Sequence, residues 1–444
     1  MTILAAVEAD FPHVLSALER LVAIQSVSAD DERSDEVHRS AQEVADLISA
    51  LGCDDVRIVS EGGKPAVLAK FAAPVGSPTV CLYAHHDVQP EGDLDTWRTG
   101  PFRATESDGR LFGRGAADDK GGIAVHLAAL RAFGGRPPVG VTLFIEGEEE
   151  VGSPSLSALL TAHRDELASD VFVIADSGNW SVGTPAFTTS LRGLVECTVE
   201  LRTLDHALHS GAFGGVVPDA LTSMCRLLAT LHDERGNVAV AGLHSTAGPD
   251  LDYPPDRLRA ETSILDGVDY IGDGTVVERM WHKPAISVIA LDATPVAKAS
   301  NTLIPSARAK LSMRLAPGDD AGRALDQLTA HLMDHVPWGA QLRITPGETG
   351  EPFVIPFAGA YAEAARAAVA RAWGKEPVFI GQGGSIPMVA LFATAFPGST
   401  MLVTAVSDPD SRMHGANESV HLGDLLAACV AEALFLESLG ALGQ

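Results

Sequence analysis

Four short apolar runs, each followed by histidines or acidic residues, constrain the fold of this chain most strongly. The runs are TVCLYA (79–84), VGVTLFIEG (139–147), DVFVIAD (170–176) and TMLVTAV (400–406). Helical patterns at 121–133 and 153–167 separate the first three. Short buried strands that alternate with helices are typical of α/β proteins. We therefore predict a mostly parallel sheet flanked by helices.

The middle of the chain has a different pattern. Residues 191–202 and 306–315 alternate apolar and polar side chains, as half-exposed antiparallel strands do. Helical patterns accompany them at 216–233 and 319–336, and an irregular segment rich in Gly, Pro and Asp lies at 236–283. The α/β pattern then returns near residue 350. We expect an α/β domain at 1–189 and 351–444, interrupted by an inserted α+β domain at 190–350.

Polar side chains follow each of the four predicted strands. They are His85, Glu150, Asp176 and His414, and Asp118 lies in a fifth cluster, GRGAADDKGG. The carboxyl ends of parallel strands meet at one edge of a sheet, so these side chains should lie close together. Histidines and carboxylates bind divalent ions, and two ions about 3.5–4 Å apart share one carboxylate. Asp118 would bridge such a pair. His85 and Asp176 would complete one site, and Glu150 and His414 the other.

Two adjacent histidines end the first strand, and only one can serve this site. Side chains alternate between the faces of a strand, so His85 and His86 point to opposite sides. His85 and Asp87 share a face. Asp87 can then accept the second imidazole N–H of His85, which fixes the tautomer and orientation of a metal-bound histidine. We predict that His85 is the ligand and that His86 is packed or at the surface.

Each motif also has an ordinary explanation when it is taken alone. A histidine after a strand is usually a hydrogen-bonded polar residue, and EGEEE (146–150) is typical of a solvated turn. Asp118 and Asp119 could simply begin a helix. Their cluster is neither a P-loop nor GxGxxG, GQGGS (381–385) is not GxSxG, and the chain has no HExxH. The metal-pair prediction depends on the motifs occurring together.

Charge and composition argue against several classes of partner. With 32 Lys and Arg against 58 Asp and Glu, the formal charge of −26 repels nucleic acids and anionic membrane surfaces. The N-terminus has no secretory pattern, and no apolar run reaches the roughly 20 residues of a membrane span. The cysteines form no CxxC pair, which indicates buried, reduced thiols in a cytoplasmic protein. They are Cys53, Cys81, Cys197, Cys225 and Cys429.

These motifs resemble the di-zinc metallopeptidase family of carnosinases, bacterial dipeptidases, carboxypeptidase G and the acetylornithine and succinyl-diaminopimelate deacylases. The resemblance covers nearly the full length. YAHHDVQP (83–90) is similar to the family's YGHxDVQP, and EGEEEVGS is similar to EGxEExGS. The stretch from Trp97 to Gly122 resembles the one that leads to the bridging aspartate. The resemblance implies that Glu149 is the general base and that the peptide bond after Asp118 is cis. It also implies two divalent ions, zinc first, with manganese or cobalt as alternatives.

The inserted domain resembles the lid and dimerisation domain of that family. LHSGAFGG (208–215) is similar to a motif whose histidine reaches the partner subunit's active site, although Ala207 replaces the usual aspartate. This implies a homodimer in which His209 stabilises the reaction in the other chain. Three further stretches are similar to substrate-binding segments. They are NTLIP (301–305), SMRLAPG (312–318) and GGSIP (383–387), and they imply substrate contacts from Asn301, Arg314, Gly384 and Ser385, with Arg314 on a terminal carboxylate.

The residues of these motifs favour the peptidase branch of the family. DVQP, DDKGG, LHSGAFGG and the long insertion are typical of that branch. They imply hydrolysis of dipeptides or short peptides with a free C-terminal carboxylate. The alternative is an N-acyl-amino-acid deacylase. Two more remote alternatives are an inactive peptidase-like binding protein and a metal-storage protein, and neither would need Glu149.

Overall fold

The computed structural model describes residues 2–72, 74–383 and 387–443. The strands, in chain order, are β1 (Asp55–Val59), β2 (Ala66–Phe71), β3 (Thr79–His85), β4 (Thr105–Ser107), β5 (Arg110–Phe112), β6 (Gly140–Glu146), β7 (Val171–Ile174), β8 (Ala186–Leu191), β9 (Gly193–Arg202), β10 (Leu208–His209), β11 (Ala285–Asp292), β12 (Thr302–Leu303), β13 (Ser306–Leu315), β14 (Gln341–Gly350), β15 (Phe353–Val354), β16 (Val378–Gln382), β17 (Thr400–Val403) and β18 (Ser419–His421). The α-helices are α1 (Ile3–Val22), α2 (Ser34–Ser49), α3 (Lys120–Ala132), α4 (Leu156–Ala162), α5 (Arg164–Leu167), α6 (Ser210–Phe213), α7 (Ala220–Ala229), α8 (Pro255–Thr262), α9 (Ala321–Asp334), α10 (Ala360–Trp373), α11 (Pro387–Ala395) and α12 (Leu422–Leu442).

The chain divides into two compact units. The first comprises Met1–Thr189, Ile355–Ile380 and Pro387–Gln444, and the second comprises Ser190–Val354 and Gly381–Ile386. Most of the second unit is one continuous insertion in the first. The predicted substrate contacts Gly384 and Ser385 lie outside the described residues.

A nine-stranded mixed sheet has the order β1-β2-β6-β3-β7-β17-β8-β15, with β16 also paired to β8. The central strands β6, β3, β7 and β17 are parallel to one another, whereas β1, β2, β8 and β15 pair antiparallel at the sides. The prediction of an α/β fold with a mostly parallel central sheet is confirmed. The antiparallel flanks were not predicted.

The central strands are buried on both faces, which explains their continuous apolar runs. On one face, Val80, Leu82 and Ala84 of β3 belong to a core shared with α1, α3, α10 and α12. On the other face, the Tyr83 ring lies 5.7 Å from that of Phe144 and 5.6 Å from that of Phe392 on α11. Strand β3 therefore places side chains alternately on the two faces as far as its last residue, His85.

The second unit contains an antiparallel sheet of order β11-β13-β9-β14. One face of this sheet packs against α7 and α9 in a core of its own. Both helices begin later than their sequence patterns predict, because aspartates cap them. The Asp219 side chain accepts the Thr222 N–H (2.8 Å), and that of Asp320 accepts the Arg323 N–H (2.7 Å).

Three other sequence expectations need correction or detail. The helix expected at 153–167 is two helices, α4 and α5, which meet at His163. Cys225 is exposed, whereas the other four cysteines are buried as expected. Helix α12 is long and apolar enough to cross a membrane, but 67% of its most apolar stretch is buried inside the protein, as in a core helix.

Candidate metal centre and active site

The predicted metal ligands lie where the parallel strands end. His85 is the last residue of β3, and Asp176 follows β7 by two residues. Glu150 lies in a short 3-10 turn (Glu149–Val151) after β6, and His414 lies in the loop after β17. These four strands are neighbours in the sheet and run in the same direction, so their carboxyl ends meet at one edge.

Five side chains form two overlapping clusters. One contains His85, Asp118 and Asp176, and the other contains Asp118, Glu150 and His414, with the ligand atoms of each cluster within 4.8 Å of one another. Asp118 belongs to both clusters, and its two oxygens face different histidines. Oδ1 lies 3.1 Å from His85 Nε2, and Oδ2 lies 2.9 Å from His414 Nε2. This is the arrangement that a bridging carboxylate requires.

The electrostatics of the clusters fit bound cations. Burial, together with the neighbouring carboxylates of Asp118 and Glu150, raises the pKa of Asp176 to about 7. Hydrogen bonds to Asp118 and Glu150 raise the pKa of His414 to about 10. The three carboxylates of the predicted ligand set thus repel one another and favour any positive charge between them. With two imidazoles and three carboxylates, this donor set suits two divalent ions.

Asp87 has a wider role than the sequence indicates. Its carboxylate accepts the main-chain N–H groups of Glu149 (3.2 Å) and Glu150 (3.1 Å). His85 Nδ1 lies 3.4 Å from the Asp87 carboxylate but 3.1 Å from the Asp87 main-chain oxygen. The closer partner of the imidazole is therefore the peptide carbonyl. Asp87 orients both His85 and the turn that carries the two glutamates.

His86 lies on the opposite side of the strand end, as the alternation predicts. It is fully buried, and its Nε2 lies 2.8 Å from the carbonyl oxygen of Pro65. Burial lowers the pKa of His86 to about 4. His86 is a neutral, packed residue and belongs to neither cluster.

Glu149 faces the clusters without belonging to either. Its Oε2 lies 4.0 Å from His85 Nε2, and the side chain is partly buried. Burial, together with the charges of Asp176 and Glu150, raises the pKa of Glu149 to about 9. A carboxylate that faces a ligand set without joining it is positioned to accept and return a proton.

Sequence reasoning missed two groups that support the ligands. The Gln89 side chain donates to Glu150 Oε2 (2.8 Å), and its main-chain N–H donates to Oε1 (3.1 Å). The alternation that pairs His85 with Asp87 continues to Gln89 and could have identified it. The second group is Glu418, which accepts the Asp118 main-chain N–H (3.1 Å). No periodic pattern connects these distant residues. The peptide bond between Asp118 and Asp119 is cis, as the family resemblance implies.

The remaining predicted site residues belong to the second unit. His209 ends β10, opposite Thr302 of β12, and its exposed side chain accepts the Gly211 N–H (3.0 Å). The neighbouring Asn301 is also exposed, and its carbonyl accepts the Ser210 N–H (3.0 Å). The structure therefore brings His209 and Asn301 together.

Arg314 is half-buried on β13, opposite Leu194 of β9. Within the described part of the second unit, it makes no ion pair. Arg192 directly precedes β9, and burial, together with the charge of Arg314, lowers its pKa to about 10. Arg192 donates to the carbonyls of Met280 (2.7 Å) and Lys283 (2.6 Å).

The chain matches the family model described as peptidase family M20/M25/M40 over residues 81–438. The cysteinylglycine-S-conjugate dipeptidase of Corynebacterium striatum is 32% identical over 435 residues, which cover 96% of this chain and 95% of that protein. The human Beta-Ala-His dipeptidase is 30% identical over 380 residues, which cover 80% and 74%.

Solved structures have the same fold. The human carnosine dipeptidase 1 structure has a TM-score of 0.80 at 25% identity, covering 99% of this chain and 98% of that one. The dipeptidase Dug1p of Saccharomyces cerevisiae also has a TM-score of 0.80, at 24% identity and with the same coverage.

Proposed function

Because the chain belongs to peptidase family M20/M25/M40, we propose that it hydrolyses the amide bond of dipeptides or short peptides that carry a free C-terminal carboxylate. This proposal rests on one arrangement: two clusters share Asp118, and Glu149 lies beside them. A protein that only binds or stores metal does not require the partly buried Glu149 carboxylate, which faces the ligand set without belonging to it. The comparisons support hydrolysis, because both curated relatives are named dipeptidases.

In the proposed site, His85, Asp118 and Asp176 would hold one divalent ion, and Asp118, Glu150 and His414 would hold the other. When bound, two such ions would supply Lewis acidity for a carbonyl group and for a water molecule. Glu149 accepts the proton of the attacking water at its carboxylate and then delivers it to the leaving amine. A general base of this kind contributes about 10²–10⁴-fold to the rate. Asp87 keeps the imidazole of His85 and the Glu149–Glu150 turn in place. Zinc is our first choice of metal, and manganese and cobalt are alternatives.

The second unit supplies substrate recognition in this proposal. Arg314 binds the terminal carboxylate, because its guanidinium has no ion-pair partner among the described residues of the second unit and can make two parallel hydrogen bonds. His209 donates a hydrogen bond to the oxyanion of the tetrahedral intermediate. Asn301, next to His209, contacts the substrate, and Gly384 and Ser385 contribute from outside the described residues.

We also propose that the second unit is a lid through which two chains form a homodimer. Large apolar side chains are exposed on it, including Phe213, Val216 and Trp338. Edge strand β11 also exposes Val288 and Ile289, and an open strand edge is suited to pairing with another chain. A cytoplasmic location accords with five unpaired cysteines.

A substrate and metal screen tests the proposal. The protein is stripped of metal with a chelator, loaded with zinc, manganese or cobalt, and assayed on dipeptides, tripeptides and N-acyl amino acids. We expect two ions per chain and turnover of dipeptides. Turnover restricted to N-acyl amino acids would identify a deacylase instead, which the names of the relatives do not favour. Stoichiometric metal without any turnover would identify a binding protein.

A further inference from the structure

Glu418 is completely buried against the loop that carries the bridging aspartate. Its Oε1 accepts the main-chain N–H groups of Ala117 (3.0 Å) and Asp118 (3.1 Å). Its Oε2 accepts the Gly115 N–H (3.1 Å) and a guanidinium N–H of Arg114 (2.6 Å). Four donors therefore converge on one carboxylate, and only a group with acceptors on both oxygens can satisfy them.

Arg114 extends these contacts to two other segments of the site. Its Nη2 donates to the carbonyl oxygens of Pro90 (3.1 Å) and Gly415 (3.2 Å). Gly415 directly follows His414, and Pro90 directly follows Gln89, which holds Glu150. Arg114 is 1% exposed, and its guanidinium lies over the Trp97 ring. One buried ion pair thus contacts the loop of Asp118, the loop of His414 and the segment that orients Glu150.

The loop of His414 needs such support because its backbone is strained. Arg412, His414 and Asn417 all have left-handed backbone angles, with φ of 54°, 61° and 64°. Residues other than glycine rarely adopt this conformation, which persists only where surrounding contacts fix it. Asn417 is fixed by the Arg98 N–H (2.6 Å) and the Thr96 carbonyl (2.9 Å).

We propose that the Glu418–Arg114 pair positions Asp118 and His414 relative to each other and so sets the affinity of the cluster formed by Asp118, Glu150 and His414 for its ion. Neither residue touches the ligand atoms, so both are positioning residues. The inference rests on the proposed metal ligands. Removal of a hydrogen-bond partner that supports a metal ligand typically lowers the affinity for the metal by about 10–100-fold.

Glu418→Gln in the full-length chain tests the inference. The amide keeps the size of the side chain but presents an NH₂ group to N–H donors and leaves Arg114 without its counter-charge. The metal-free protein is titrated with Co²⁺, and binding is followed by the visible absorption of the ion. We expect one of the two Co²⁺ ions to bind about 10–100-fold more weakly than in wild type. Its absorption spectrum should change as well.

Glu432→Gln is the matched control. Glu432 forms another buried ion pair of the first unit, with His126 at 2.9 Å, and contacts none of the predicted ligands. This variant should lower the melting temperature but leave both Co²⁺ affinities unchanged. If Glu418→Gln does not fold, Arg114→Lys takes its place, since lysine keeps the charge but cannot reach Glu418, Pro90 and Gly415 together.

The outcomes separate this inference from the proposed function. If wild type binds two ions and Glu418→Gln or its substitute binds both with wild-type affinity, the positioning role is wrong and the proposed function stands. Equal losses of affinity in Glu418→Gln and Glu432→Gln would mean a general loss of stability, and would also overturn the inference. If wild type itself does not bind two ions, both are overturned.

Discussion

Glu149 and Glu150 are adjacent, yet the structure gives them different surroundings. Glu150 lies in a cluster with Asp118 and His414 and is held by Gln89, whereas Glu149 belongs to neither cluster. Glu149→Gln should therefore retain two ions while kcat falls at least about 10²-fold, since only proton transfer is lost. Metal analysis and steady-state kinetics measure the two quantities.

Glu148→Gln provides a comparison for this variant. The Glu148 carboxylate accepts the N–H groups of Lys64 and Ser155 and is not part of the ligand set. We expect it to affect stability more than kcat. Turnover near the wild-type rate in Glu149→Gln, with both ions present, would show that Glu149 is not the base.

The two adjacent histidines give a second test. His85→Ala should lose one ion, because it removes a ligand of the first cluster, and the loss of affinity should exceed the roughly 10–100-fold of an outer hydrogen-bond partner. His86→Gln should keep both ions, because its amide can still donate to the Pro65 carbonyl. Isothermal titration with zinc distinguishes the variants. The reverse result would assign the ligand to His86.

Helices α3 and α12 are joined by a buried ion pair whose strength depends on pH. Burial alone would lower the pKa of His126, but Glu432, 2.9 Å from Nδ1, outweighs it and the pKa is raised. A raised folded-state pKa means that the stabilisation is complete below about pH 6.5, the unperturbed value, and is lost as pH rises through the folded pKa. The pair therefore stabilises the fold at neutral and lower pH.

Glu432→Gln should lower the free energy of unfolding by about 3–5 kcal/mol at pH 6, and by less at pH 9. Urea unfolding of the metal-free protein at both pH values measures the difference. Glu437→Gln, at an exposed position of the same helix, should change the free energy by less than about 0.5 kcal/mol at either pH. A cost of Glu432→Gln that grows with pH would contradict a protonated His126.

Arg314, on strand β13, provides a test of the substrate class. If Arg314 pairs with a terminal carboxylate, amidation of a dipeptide's C-terminus should cost roughly 2–5 kcal/mol in kcat/KM, the loss expected for one partner of a desolvated charge pair. Arg314→Met should turn over acid and amide substrates at similar, low rates.

Lys310→Met is the control on the same face of β13. Lys310 pairs with Glu196 at 2.6 Å and is therefore already neutralised. This variant should keep the preference for the free carboxylate. Equal rates of wild type on acid and amide substrates would contradict both the role of Arg314 and a dipeptidase activity.

At the level of the assembled protein, we predict that each active site uses residues of two chains. His209 belongs to the second unit, whereas the five predicted ligands belong to the first. In a two-fold dimer, each His209 would complete the partner's site. His209→Ala and Glu149→Ala should each be nearly inactive alone. Co-folded, about half of random dimers are mixed and hold one intact site, so activity should recover to roughly a quarter of wild type.

Mass spectrometry of differently tagged chains would verify that mixed dimers form. If mixed dimers are present without recovery, His209 acts within its own chain and the shared site is ruled out. A monomeric protein with full activity would exclude the dimer altogether.

Local patterns in the sequence were sufficient to predict the class of fold and the five side chains that the two clusters bring together. The apolar runs that form β3, β6, β7 and β17 are short and continuous, because these strands are buried on both faces. Parallel strands place their carboxyl ends together, so the polar residues that follow them could be grouped without coordinates. The alternation of side chains also separated His85 from His86.

Only the tertiary structure identified the groups that hold this site in place. Glu418 and Arg114 are 304 residues apart, and Asp87 orients His85 mainly through a main-chain oxygen that no side-chain pattern reveals. Likewise, the exposure of Cys225 and the break between α4 and α5 depend on what packs around them. Periodicity reports which face a side chain occupies, because it arises from the local geometry of the backbone. It does not report which distant segment lies opposite, because that is decided by packing of the whole chain.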